Sequence, residues 1–395
     1  MTTPGRSPRR VLVLEDQPEL LELFGEALAG YGCDVVLCQE IEAAETLLAE
    51  ERFSALVTDL NVSARGGAEG LRLARFCRTQ FPDCRVVIAS GHITQEVERM
   101  ARDADVSTIL HKPFSWAKLA EAVFGERVVP RRASGDVRRV PILADVLHAR
   151  CVTALLQPIV HLRPTASRNR VFAVEGLARG PHGTVLARPD LFLGVASRKG
   201  RGVAAEFQCI DAVLDATDRL RADVPIFLNV QPRSLSADDF ADRLLSRLER
   251  HAVPPSRVVL EITEHETIVH PAAFGRALDA LRRRGFRFAL DDYGEGVSNL
   301  LLLQSLEPEF VKLSSRLTAR LEDSRWAREM LRSTAGLAEA LQIEVIVEGI
   351  ETPRQAEIAG SFGARFAQGY HFARPGSVDE LEHAARVDFL TAHAG

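Results

Sequence analysis

The chain has 395 residues, 46% of them hydrophobic and 26% charged, with a formal net charge of −5; this is globular composition, long enough for two or more domains. The mild acidity argues against general binding to nucleic acid or to an anionic membrane surface. The basic start "MTTPGRSPRR" leads into an apolar run broken by Glu15 and Asp16, which does not read as a signal peptide, and no run of about 18 apolar residues offers a membrane span. Cys33, Cys38, Cys77, Cys84, Cys151 and Cys209 form no C-x-x-C pair, so reduced, mostly buried thiols in a cytoplasmic protein are expected.

From the start, short β-branched runs alternate with runs of helical period. "RVLVLE", "DVVLCQ", "SALVTDL", "RVVIAS" and "STILHK" read as strands, separated by amphipathic stretches such as "PELLELFGEALAGYG" and "IEAAETLLAEE" and closed by "SWAKLAEAVFG". Five β-α units predict a doubly wound, flavodoxin-like parallel sheet over 8–125. Periodicity then breaks in "ERVVPRRASGDVRRV", and 126–141 reads as a solvated linker.

The remainder, 142–390, opens with a helix-like stretch from Ile142. Eight strands follow: "LLQPIVHL", "VFAVEGLAR", "PIFLNV", "VVLEIT", "FRFALDD", "FVKLS", "EVIVEGI" and "ARFAQGYHF". Eight strands with helices between most of them predict a closed (β/α)8 barrel of the TIM type. Only "RPTASRNR" joins the first strand to the second, too short for a parallel crossover, so one antiparallel strand is expected.

In a sheet of order 2-1-3-4-5, ligands bind beyond the ends of strands 1 and 3. Those ends carry Glu15, Asp16 and Asp59, while the ends of strands 4 and 5 carry Ser90 and Lys112. Three carboxylates in one crevice suit Mg²⁺, with an ammonium beside them. This pattern resembles the receiver domain of two-component response regulators. The resemblance implies Asp59 as phosphoacceptor, Glu15, Asp16, Asp59 and the Asn61 carbonyl as ligands of one Mg²⁺, Ser90 and Lys112 as switch contacts to the phosphoryl group, and a sensor histidine kinase as partner. Two departures stand out: the glycine-rich "LNVSARGGAEG" after Asp59, and Ile109 where the family carries an aromatic switch residue.

The barrel's strand ends read Glu175, Asn229, Glu261, Asp291 with Asp292, Lys312, Glu348 and Gln368. One such acid caps a helix or faces water; this many converging on one rim require cations. Oxygen-only ligation points to Mg²⁺ or Mn²⁺, with acids enough for two ions about 4 Å apart, the arrangement that hydrolyses phosphodiesters. "LLQPIV", "VEGLARG", "LNVQP", "LEITE", "LDDYGEG", "FVKL", "VEGIET" and "QGYHFARP" are similar, in order, to the motifs of EAL domains, the cyclic di-GMP phosphodiesterases.

That resemblance implies hydrolysis of cyclic di-GMP to linear pGpG. Glu175, Asn229, Glu261 and Asp291 would hold a first metal; Asp291 would be shared with a second held by Asp292 and Glu348. Lys312 would orient or deprotonate the attacking water, with a pKa lowered by burial and metals. Arg179 would clamp a phosphate, Gln157, Leu177 and Gln368 would contact substrate or the metal-water network, Glu351 would support Glu348 from one helical turn on, and Glu264 would brace the loop after Asp292. A homodimer or higher homo-oligomer is expected.

The chain also departs from the family. Gly176 takes the middle place of the signature, Ser314 stands where an acid is usual, and Gly294-Glu295-Gly296-Val297 replaces a Gly-Thr-Gly-Tyr loop. The competing reading is a catalytically inactive domain that senses cyclic di-GMP or binds a protein. A DNA-binding output has no helix-turn-helix pattern to support it, and the acidic rim would repel DNA.

Overall fold

The structure, a computed structural model, describes residues 9–62, 68–91, 93–130, 135–163, 171–263, 268, 270–294 and 300–385. Two compact units comprise residues 1–151 with 180–205, and 152–179 with 206–395.

The sheet of the first unit is wholly parallel, in the order β5-β4-β3-β1-β2-β6. Its strands are β1 (Arg10–Leu14), β2 (Asp34–Cys38), β3 (Ala55–Thr58), β4 (Arg85–Ser90), β5 (Thr108–His111) and β6 (Val137–Arg139). The first four have apolar centres without polar alternation, as when helices cover both faces of a parallel sheet; Val11, Val13, Val35, Leu37, Val57 and Val87 pack with Phe24 and Leu28 in one core. The expected order 2-1-3-4-5 is present, with β1 and β3 adjacent where the winding reverses.

The sixth strand lies inside the segment read as a linker. Its three side chains are exposed, so no apolar alternation announces it; backbone pairing to the edge of β2 makes the strand. Gly135 admits it, because a Cβ there would stand 1.8 Å from the Cys33 carbonyl oxygen, and the Asp136 N–H donates to Asp34 Oδ1 at 3.0 Å.

The second unit is a closed barrel in the order β10-β11-β12-β13-β14-β7-β8-β9. Its strands are β7 (Thr153–His161), β8 (Val171–Arg179), β9 (Ile226–Asn229), β10 (Val258–Thr263), β11 (Arg287–Tyr293), β12 (Phe310–Leu313), β13 (Glu344–Val347) and β14 (Phe366–Ala367). β7 runs antiparallel to both neighbours, as the short first connection requires. Ile159, Ala173, Phe227, Val259, Ala289, Phe310, Ile346 and Phe366, one from each strand, form a buried cluster that fills the interior. Each large member contributes roughly 1.5–3 kcal/mol by its burial, and together they close the barrel to water below the mouth.

Candidate active site and receiver crevice

The mouth of the barrel follows from that apolar floor by one step of strand geometry. Side chains two residues apart lie on one face of a strand. Two residues beyond the floor residues of β8 to β14 stand Glu175, Asn229, Glu261, Asp291, Lys312, Glu348 and Gln368. On the reversed β7 the step runs backward, from Ile159 to Gln157. Eight strands therefore deliver eight polar side chains to one layer, and Gln157 is paired directly opposite Glu175.

At the centre stands the Lys312 ammonium, wholly buried, 2.8 Å from Glu261 Oε1, 2.9 Å from Glu348 Oε1, 3.2 Å from Glu175 Oε2 and 3.2 Å from Asp291 Oδ1. An amide ladder holds one side of the layer. Gln368 Nε2 donates to Glu175 Oε2 at 2.7 Å and to Gln157 Oε1 at 2.9 Å, Gln157 Nε2 donates to the Ala373 carbonyl at 3.2 Å, and Asn229 Nδ2 donates to Glu175 Oε1 at 3.2 Å.

Burial and mutual repulsion raise the Glu261, Asp291 and Glu348 carboxyls above the usual range, Glu261 and Glu348 well above it. Glu175 is the exception. Burial pushes it up, but Lys312 and the Gln368 and Asn229 amides outweigh that and hold it low. The expected lowering of the Lys312 pKa rests on burial and bound metals together; with the carboxylates alone as neighbours the direction is upward. Burial does act downward, but Asp291, Glu175, Glu261 and Glu348 lift it well above an ordinary lysine; in this setting the group is an ammonium that donates.

Adjacent strand residues point to opposite faces, yet Asp291 and Asp292 serve one site. The β11–β12 register shifts between Leu290 and Tyr293, and Asp292 adopts a left-handed backbone with φ +55°. Aspartate tolerates that region better than most residues, at a cost of roughly 1–3 kcal/mol. As a result, oxygens of Asp291, Asp292 and Glu348 lie within 4.8 Å of one another, and so do oxygens of Glu175, Glu261 and Asp291. The two trios share Asp291. Glu261 Oε2 is buried without a hydrogen-bond partner among the described residues. An oxygen-only donor set with an unsatisfied carboxylate oxygen fits a hard divalent cation.

A cavity of about 410 Å³ opens on this layer, lined by Gln157, Glu175, Leu177, Asp291, Asp292, Glu348, Glu351 and Gln368 of the expected residues, and by Ser315, Gly349, Gly369 and Tyr370 besides. Asn229 joins through Glu175 and Glu261 through Lys312. The Arg179 guanidinium donates to the Ala178 carbonyl at 2.8 Å and does not line the cavity. Glu351 arrives by a different route from the one expected: residues 348–351 are not helical, and Gly349 turns with φ +63°. The Glu351 N–H then donates to Gln355 Oε1 at 2.8 Å, just ahead of the Thr352–Gln355 capping box that starts the helix Pro353–Ser361. Tyr370, half-exposed at the lip with Arg374 stacked over its ring at 4.2 Å, was signalled only by the aromatic in "QGYHFARP". Glu264, Glu295, Gly296 and Val297 lie outside the described residues.

Of two departures from the family pattern, the structure explains the first and describes the setting of the second. A Cβ at Gly176 would stand 2.1 Å from Val213 Cγ1, so the helix Gly202–Thr217 occupies the space a larger residue needs. Ser314 is fully buried and its Oγ has no hydrogen-bond partner among the described residues; it precedes the short helix Ser315–Thr318 and supplies no charge.

In the receiver-like sheet, Lys112 Nζ bridges Glu15 Oε2 at 2.6 Å and Asp59 Oδ2 at 2.7 Å. Burial lowers the Lys112 pKa, but the two carboxylates outweigh it and hold it above the ordinary value; burial raises that of Glu15 in spite of Lys112. Ser90 is buried at the end of β4, and Asp16 and Asn61 are exposed. Asn61 turns its N–H toward Asp59 Oδ1 at 3.4 Å. Among the described residues Glu15, Asp16 and Asp59 do not close into a metal-sized trio, since the ammonium stands between Glu15 and Asp59. Gly70 packs against this corner, where a Cβ would come within 1.9 Å of the Asp59 carbonyl oxygen. Ile109 packs with Leu60, Ile88, Val97 and Met100.

A phosphoacceptor-type crevice on a doubly wound sheet, and an acid-lined barrel mouth of phosphodiesterase type, define a two-part signalling protein. The response regulator receiver domain family matches residues 11–124 and the EAL domain family matches residues 142–375. The chain belongs to the EAL domain family and carries a receiver domain ahead of it. It is 30% identical over 390 residues to the cyclic di-GMP phosphodiesterase RocR of Pseudomonas aeruginosa, covering 92% of this chain and 95% of that one. Among solved structures, it is similar to the EAL enzyme Bd1971 in a form with cAMP and cyclic di-GMP bound (TM-score 0.53, 26% identity, 62% of this chain and 67% of that chain). It is also similar to BlrP1 of Klebsiella pneumoniae in a manganese and cyclic di-GMP complex (TM-score 0.51, 27% identity, 57% of this chain and 56% of that chain).

Proposed function

We propose that the barrel hydrolyses cyclic di-GMP to linear pGpG and that phosphorylation of Asp59 by a sensor histidine kinase adjusts the rate. The observation that carries the hydrolase reading is the ring of four carboxylates around one buried lysine, with Asp292 as a fifth acid beside Asp291 and Glu348. Five negative charges less one positive leave four, the charge of two divalent cations. Glu175, Asn229, Glu261 and Asp291 would hold one ion; Asp291, Asp292 and Glu348 would hold the other. Bound there, Mg²⁺ or Mn²⁺ supplies a nucleophile at neutral pH and neutralises charge on the phosphodiester.

The side chains do the rest. Lys312 donates to the attacking water and fixes its direction. Gln368 and Asn229 hold the Glu175 carboxylate in one orientation and keep it ionised. Arg179 would clamp a phosphate only by giving up its hydrogen bond to the Ala178 carbonyl, and Leu177 and Gln157 shape the wall on which the dinucleotide lies. Glu351 supports Glu348 across the cavity. In the receiver crevice Glu15, Asp16, Asp59 and the Asn61 carbonyl would hold one Mg²⁺, which would offset charge at Asp59, and Lys112 and Ser90 would be the switch contacts to a phosphoryl group there.

Pairing with a second copy is supported by the helix Arg325–Ala340 and the residue after it. Trp326, Met330, Leu337 and Leu341 are 74%, 38%, 38% and 52% exposed, and they fall on one stripe of the helix, a seam of the kind that packs against another helix. No helix among the described residues is long and apolar enough to cross a membrane, in keeping with a cytoplasmic location. The decisive assay is chromatographic: the purified chain with Mg²⁺ or Mn²⁺ converts cyclic di-GMP to pGpG. Binding without product at saturating metal would establish the sensor reading instead.

A further inference from the structure

Glu206 contributes nothing to the mouth directly, yet it is a carboxylate only 1% exposed. Such a group is costly to bury unless hydrogen-bonded. Its Oε1 accepts from the backbone N–H of Gln231 at 2.6 Å, the length of a charge-assisted bond. Gln231 stands two residues after Asn229, where the chain leaves β9. The intervening N–H, that of Val230, donates to the Glu261 carbonyl at 3.0 Å. The turn that presents Asn229 is therefore held at two successive N–H groups, one by the neighbouring strand and one by Glu206.

Asn229 is exposed at its strand end, so packing does not fix it and the backbone beneath it must. The helix Gly202–Thr217 that carries Glu206 also sets Val213 against Gly176, beside Glu175. One helix thus abuts both strands whose side chains meet in the Asn229–Glu175 hydrogen bond.

We propose that Glu206 is a positioning residue for the metal site: it fixes the turn after β9 so that the Asn229 amide is presented together with the Glu175 carboxylate. This rests on the reading that Asn229 and Glu175 hold a cation. Glu206 touches neither substrate nor ion; its effect is on metal affinity.

The test is Mn²⁺ binding to the full chain, followed by the electron paramagnetic resonance of free Mn²⁺, beside the metal dependence of hydrolysis. The receiver crevice is the same in every variant and contributes a constant background. Glu206→Ala is expected to weaken barrel binding about 10-fold or more, the usual loss when the support of a ligand is removed, with turnover recovering as Mn²⁺ is raised. Glu206→Gln keeps an oxygen acceptor for the Gln231 N–H and restores most of the affinity. Should the alanine variant not fold, Glu206→Asp withdraws the carboxylate by one methylene and gives the same contrast. Phe207→Leu on the same helix is the control, lowering the melting temperature without moving Mn²⁺ affinity. Wild-type affinity in Glu206→Ala or Glu206→Asp, or equal weakening in Phe207→Leu, overturns the assignment. A wild-type chain with no barrel-bound Mn²⁺ overturns the metal reading beneath it.

Discussion

The two sites each set a lysine among carboxylates, and they differ in how far that lysine is closed in. Lys112 bridges two acids and keeps 19% of its side chain exposed. Lys312 is ringed by four acids and has none exposed. A partly exposed ammonium at a strand end can exchange one partner for another, which would suit a contact that re-forms around an added phosphoryl group. A lysine sealed below a ring of acids is a fixture, because moving it strands buried charge. On the proposed function, the same residue type would serve a switch in one unit and a scaffold in the other.

Several substitutions would break or sharpen that contrast. The largest effect is expected from Glu175→Ala, which removes the carboxylate common to the Lys312 contacts and the amide ladder; pGpG formation falls to background in a chromatographic assay. Next is Lys312→Met, with turnover reduced by about 10²–10⁴, the range for a lost proton-handling group. Its melting temperature in chelator should fall more than in Mg²⁺, since the acids then have no cation at all. A scaffold role would be refuted by an equal change in both conditions. Asp59→Asn should abolish any change of turnover caused by an acyl-phosphate donor; a response that persists would remove the switch from the receiver crevice. Gly176→Ala is expected to cost about 1–3 kcal/mol in urea unfolding through overpacking, most of it recovered in the double variant with Val213→Ala. The smallest effect belongs to Ser314→Asp, a shift of half-maximal activation to lower Mg²⁺; an unchanged curve would separate that position from the second ion.

Much of the fold was legible because burial writes itself into strand sequences. β1 to β4 each hold at least three successive apolar residues, and the reversed β7 follows from a connection too short to cross over. The barrel site was legible for a related reason. A floor residue and a rim residue two places on give the pattern apolar-x-polar, as in Phe227-Leu228-Asn229 or Phe310-Val311-Lys312. What escaped depended on backbone events without a side-chain signal. β6 forms by edge pairing alone, Asp292 reaches the site through a bulge and a left-handed residue, and Glu351 arrives by a turn at Gly349. Glu206 gave no cue because an acid on a helix is ordinarily solvated, and only the tertiary fold brings it to Gln231. The four acids that lift the metal-free Lys312 pKa converge from separate strands, a matter of geometry that no single stretch of sequence displays.

Gly176 bears on how such proteins are told apart. In this chain the middle letter of the signature reports the room left by a neighbouring helix, through Val213. Positions 176 and 213 should vary as a pair across relatives, small with large and large with small, irrespective of whether the carboxylates beside them still turn over substrate.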